Sequence, residues 1–184
     1  DVQYICQHWP DTVEFEPKAI RQYFLDIEVE SDQGFPAPET ALSIINAITV
    51  YDNIDNTYHT WGLNEWDQDD GEYAGSDAII IYNECYDEET LLTLFLQFWE
   101  KQPPHVVTGW NIDGFDIPYI INRYAKVFGE KETKKFSPFG WIKERSIKTK
   151  FGKDQFVYDI LGVQSLDYMK LYKKFTYKMR ESYA

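Results

Sequence analysis

The chain has 184 residues, 43% of them apolar and 17% aromatic, enough to bury a sizeable core and too apolar for a disordered segment. No apolar run approaches the length of a membrane span, and no secretory leader opens the chain, so we expect an intracellular protein. The net charge of -13 hides a division: residues 1–125 carry 4 Lys+Arg against 24 Asp+Glu, whereas residues 126–184 carry 14 against 7. A run of solvated lysines on exposed helices would explain the basic end, and so would an end that meets a polyanion.

Residues 1–20, with Trp9-Pro10 and the alternation of Val13 and Phe15 with Glu14 and Glu16, read as an extended lead-in, the end of a preceding domain. The main domain is expected over 21–184. Its first strand is Arg21 to Glu30 (RQYFLDIEVE). Side chains alternate along a strand, so Leu25, Ile27 and Val29 point one way while Asp26, Glu28 and Glu30 point the other. Asp26 and Glu28 thus share a face and can hold a cation between them. Acids on the wet face of an antiparallel strand are the ordinary alternative.

Ser31 to Thr40 is a Gly/Pro-rich loop with Phe35 exposed between Gly34 and Pro36. Ile44 to Asp52 and Tyr58 to Leu63 read as a hairpin turning at Asn53–Asn56. An acidic loop, Glu65 to Asp77, precedes a β-branched strand, Ala78 to Asn83. A helix follows from Asp87, its expected cap, to about Lys101, with Leu91, Leu92, Phe95, Phe98 and Trp99 inward and Pro103-Pro104 beyond its end. Cys6 and Cys85 have neither metal-ligand spacing nor a histidine at ligand distance in the sequence, and are expected to be free thiols.

The stretch Thr108 to Arg123 (TGWNIDGFDIPYIINR) passes from a short apolar strand through a glycine-punctuated loop into a helix over 116–129. Ile117, Ile120, Ile121, Tyr124 and Phe128 recur at helical spacing on one face. Asp116 stands at the entrance with Pro118 in the first turn. Taken alone it is an ordinary N-cap. Taken with Asp26 and Glu28 it becomes the third of three carboxylates able to converge on metal ions. A basic segment leads to a hairpin, Trp141–Thr149 and Gln155–Leu161, turning at Lys150–Asp154 and carrying Lys143, Arg145, Lys148, Lys150 and Lys153. Ser165 to Phe175 is helical after a short extended start. The order β-β-β-β-α-β-α gives an α/β domain with a mixed sheet flanked by helices.

Three segments resemble a known family. FLDIEVE with GFPAPETA resembles the first exonuclease motif of family B DNA polymerases, and TGWNIDGFDIPYIINR resembles the second. The likeness is to the polymerases of T-even-type bacteriophages above all, and it runs on through KKFSPFG, the basic hairpin and GVQSLDYMKLYKKF. It implies a ribonuclease-H-like (DnaQ-like) fold with an added hairpin and 3′→5′ exonuclease proofreading of a mispaired primer end. It makes Asp26, Glu28 and Asp116 the metal-binding and catalytic carboxylates of a site for two Mg²⁺ or Mn²⁺ ions. Asn111 and Phe115 would shape that site, Phe35 would meet the last bases of the frayed strand, and Lys148, Lys150 and Lys153 would lie on the hairpin that parts primer from template. The implied partners are single-stranded or frayed primer DNA and the N-terminal, palm, fingers and thumb domains of a polymerase. The implied location is the cytoplasm, that of the host for a viral protein, with an isolated monomer and no membrane.

The family's third motif, Tyr-x-x-x-Asp, is a departure. That spacing occurs only at Tyr51/Asp55 and Tyr73/Asp77, both ahead of the second motif, and no histidine has Asp five residues on. The expectation is therefore a domain cut before its third motif, with weak or no activity by itself. The alternative is a non-catalytic nucleic-acid-binding or structural domain of the same fold.

Overall fold

The computed structural model describes residue 8 and residues 16–31, 34–66, 77–148 and 154–176. Of the lead-in at 1–20, residues 1–7 (with Cys6) and 9–15 lie outside the described residues, as do most of the acidic loop with Tyr73 and the hairpin turn with Lys150 and Lys153; the described end of the lead-in forms a 3₁₀ turn, Pro17–Ala19, rather than extended chain.

The strands are β1 (Gln22–Val29), β2 (Ile45–Asp52), β3 (Thr57–Gly62), β4 (Ile79–Glu84), β5 (Val106–Gly109), β6 (Ile142–Lys148), β7 (Asp154–Ile160) and β8 (Gln164–Asp167). The helices are α1 (Glu88–Lys101), α2 (Asp116–Phe128), the single turn α3 (Glu130–Thr133) and α4 (Tyr168–Phe175). Six strands form one mixed sheet in the order β4-β3-β2-β1-β5-β8, and β6 pairs with β7 as a separate antiparallel hairpin. β2 runs antiparallel to both β1 and β3, while β1–β5, β3–β4 and β5–β8 are parallel.

The period-two pattern of β1 sets the layering. Tyr23, Leu25 and Ile27 are buried, and Phe24, Asp26 and Glu28 between them are exposed. The buried set packs with Ile48 and Val50 of β2, with Leu91, Leu92, Phe95 and Trp99 of α1, and with Ile117, Ile120, Ile121 and Tyr124 of α2. Aromatic rings fill the layer: Tyr23 stacks on Phe98 at 5.5 Å, and Phe136 stands edge-on to Trp99 at 5.5 Å and to Tyr124 at 4.8 Å. The 3₁₀ turn Lys134–Phe136, which carries no periodic signal, is held by that one phenylalanine and by its carbonyl, which accepts the Trp99 indole N–H at 2.8 Å. Asp87 caps α1, its carboxylate accepting the Thr90 N–H at 2.8 Å. Cys85 is a buried free thiol. Among the described residues no helix is long and apolar enough to cross a membrane.

α2 is fastened to the loop after β1. Arg123 grips Glu88 with both ends of its guanidinium (2.8 and 2.6 Å) and donates to the Leu42 carbonyl at 2.9 Å. Glu88 accepts the Ile45 N–H at 2.7 Å. Asn122 adds a hydrogen bond to the Pro38 carbonyl. The segment that carries Phe35 is thus tied to the helix that opens at Asp116.

Candidate active site

β2 flanks β1 along its whole length, but β5 pairs with it only from Gln22 to Phe24. Beyond Phe24 that edge of β1 would be left with free amides, which is costly inside a protein. Asp116 fills the gap: the Ile27 N–H donates to its Oδ1 at 3.2 Å. The chain reaches this position because β5 ends at Gly109, where an added Cβ would stand 2.4 Å from the Leu25 carbonyl oxygen. A loop over 110–115 then turns back. In that loop Asn111 takes a left-handed conformation (φ 62°), and its carbonyl accepts the N–H groups of Gly114 and Phe115 at 2.9 and 3.0 Å.

The N-cap interpretation of Asp116 fails on this geometry. α2 begins at Asp116 itself, Phe115 occupies the cap position, and no side chain caps the helix. The carboxylate is spent instead on a strand far away in sequence, beside Asp26. Only 3% of Asp116 is exposed. Burial first, and the neighbouring Asp26 charge second, push its carboxyl up to about 7, with a further push from Asp167 and an opposing pull from the Ile27 amide. Burial also raises Asp26 above its ordinary value.

Glu28 lies on the same exposed face as Asp26, and the β1–β2 register slips immediately after it, between Glu28 and Val29. Such irregularities re-aim side chains next to sites. Among the described residues no three carboxylate, histidine or cysteine side chains stand close enough to hold a metal ion. The pair that stands out electrostatically is Asp26 with Asp116. Both are hard oxygen donors, which suits Mg²⁺ or Mn²⁺ rather than a soft-ligand metal.

In front of Asp26 is an open depression of about 600 Å³, lined by Phe24, Thr49, Tyr51, Tyr58, Gly109 and Trp110. Phe35 is 84% exposed, and its ring lies 5.3 Å from that of Phe115, the residue before Asp116, which in turn is 5.5 Å from Tyr119. The loop after β1 and the entrance to α2 therefore present aromatic surface beside the carboxylates. Lys148 is exposed near the end of β6, while Arg145 on the same strand is paired with Asp159 of β7.

Asp167 was not among the residues singled out from the sequence. It is buried, caps α4 by accepting the Met169 and Lys170 N–H groups at 2.9 and 3.4 Å, and accepts the Asn111 N–H at 3.2 Å. Its local sequence signal is a polar residue closing a strand and opening a helix, which marks a cap.

Residues 6–184 match the family described as DNA polymerase family B, exonuclease domain. The DNA-directed DNA polymerases of Escherichia phage RB69 and Enterobacteria phage T4 are each 34% identical over 98% of this chain. The DNA polymerase catalytic subunit of Elephantid herpesvirus 1 is 38% identical over 53% of it. The chain spans 22% of the length of the two phage relatives. Its mixed six-stranded sheet flanked by helices agrees with the ribonuclease-H-like fold expected from the motifs, and the chain belongs to the exonuclease-domain family of the family B DNA polymerases.

Proposed function

We propose that this domain is a 3′→5′ exodeoxyribonuclease that removes the terminal nucleotide from single-stranded or frayed primer DNA, working within a DNA polymerase. The observation that carries this is the Asp116 carboxyl, buried beside Asp26 and pushed up to about 7. Holding two acids in that way is unfavourable, and a bound cation relieves it.

Asp26, Glu28 and Asp116 would hold Mg²⁺ or Mn²⁺, two ions in the complete site, with a further carboxylate supplied by the family's third motif from elsewhere in the polypeptide. When bound, such ions lower the pKa of the attacking water and neutralise the charge that develops on phosphate. The chain's own residues do the rest. Asp116 is oriented by the Ile27 amide, which donates to its Oδ1. Phe35 offers a ring face on which a terminal base can stack. Lys148, with Lys150 and Lys153, would follow the phosphate backbone, and Asn111 and Phe115 shape the turn that delivers Asp116.

The second reading, a nucleic-acid-binding domain without catalysis, is favoured by one observation: no three-donor cluster occurs among the described residues. A nuclease assay on end-labelled single-stranded DNA with Mn²⁺ separates the two. We expect little cleavage by the 184 residues alone and robust 3′ trimming by a polymerase that carries them, abolished by Asp26→Ala. Trimming that survives Asp26→Ala would refute the assignment.

A further inference from the structure

The loop that delivers Asp116 is tied to the β8–α4 corner at three places. Trp110 packs its ring 6.0 Å from Tyr168 and 5.7 Å from Tyr172. Asp113 accepts from the Ser165 hydroxyl and pairs with the Lys170 ammonium. Between them, the Asn111 N–H donates to Asp167. Asn111 is in the left-handed conformation, which asparagine adopts more readily than other non-glycine residues, and its amide is the one that Asp167 holds.

Capping alone does not account for Asp167. Asp87 caps the longer helix α1 while remaining exposed to water. Asp167 caps a helix of eight residues while 4% exposed, and its Oδ2 has no hydrogen-bond partner, with the Lys170 ammonium 4.0 Å away. Burying a partly unpaired carboxylate is unfavourable, and a cap does not require it. The feature that Asp167 has and Asp87 lacks is its hold on the site loop.

We infer that Asp167 is a positioning residue for the carboxylate site: by gripping the Asn111 amide it fixes the turn that places Asp116 against β1. This inference rests on the metal-site reading above. Partners that orient metal ligands from behind typically change metal affinity about 10–100-fold when removed.

The test separates capping from positioning. Asp167→Ser keeps a good helix cap but is too short to reach the Asn111 amide as well, whereas Asp167→Asn can serve both. Asp87→Ala is the control, a cap whose carboxylate holds the Thr90 amide of its own helix and not the Asn111 turn. Mn²⁺ affinity is measured on the 184-residue chain by spin-resonance titration, and exchange of the Asn111 amide by hydrogen–deuterium NMR. We expect Asp167→Ser to speed Asn111 exchange and weaken Mn²⁺ about 10–100-fold. Asp167→Asn should restore both, and Asp87→Ala should change neither. Equal Mn²⁺ affinity in the unaltered and Asp167→Ser proteins would overturn the positioning role alone, as would unchanged Asn111 exchange. No Mn²⁺ binding by the unaltered chain would instead remove the site reading, and this inference with it.

Discussion

Replacing Asp116 by Asn should make the metal-free domain more stable, and more so as the pH rises. The folded carboxyl titrates at about 7 against an ordinary value of 3.8. A group whose pKa is raised by folding gives its full stabilisation below the unfolded value and loses it progressively as the pH climbs through the folded value. For Asp116 the loss therefore begins near 3.8 and is complete somewhat above 7. About three pKa units correspond to roughly 4 kcal/mol, and at 3% exposure little of this is screened by water. Asn is neutral and can still accept the Ile27 N–H, so the substitution removes the penalty and keeps the contact. Between about pH 5 and pH 8 the advantage of Asp116→Asn should widen by roughly 3 kcal/mol, about 6–12 °C in Tm for a chain of this size. Thermal unfolding of both proteins in chelator, followed by circular dichroism across that range, reads it directly. Mn²⁺ should then reverse the order by stabilising only the unaltered domain. A Tm difference that does not change with pH would refute the reasoning, because it would mean that the carboxyl is not held against its ionisation.

Two further outcomes follow from the same geometry. Arg123→Ala leaves Glu88 without its bidentate partner at a site where the two side chains are 13% and 11% exposed, so urea unfolding should show a loss of about 3–5 kcal/mol. Arg123→Lys should recover little of it, because an ammonium cannot span both carboxylate oxygens and the Leu42 carbonyl; full recovery would contradict this. Phe35→Ala removes an exposed ring and should leave the melting temperature unchanged while weakening single-stranded DNA by about 1–3 kcal/mol, measured by fluorescence anisotropy at fixed salt. Unchanged affinity would remove Phe35 from the DNA surface.

The elements with strong periodic signals were legible within a residue or two. The alternation of β1 gave both its span and its wet face, and the leucine and aromatic positions after Asp87 gave α1 with its cap. What periodicity could not show was neighbourhood. Nothing local to β3 and β4 states that they run parallel, or that β5 leaves β1 after three paired residues and so vacates the edge that Asp116 occupies. The turn at Lys134–Phe136 was equally hidden, since one buried ring among lysines is not a pattern.

The site raises the same difficulty in sharper form, because Asp87, Asp116 and Asp167 all stand where strand or loop gives way to helix and read alike in a one-dimensional sequence. The structure gives them three different employments. Asp87 caps and stays wet. Asp116 does not cap at all and spends its oxygen on Ile27. Asp167 caps and also reaches across to Asn111, dry. Local chemistry cannot separate these, since an aspartate at a helix start reads the same in sequence whether its carboxylate caps that helix or is turned to a distant partner. The distinguishing quantity is desolvation: water leaves a capping aspartate where it is, and only a long-range partner justifies drawing one inside. A buried acid at a helix start is therefore better read through the distant amide it holds than through the helix it begins.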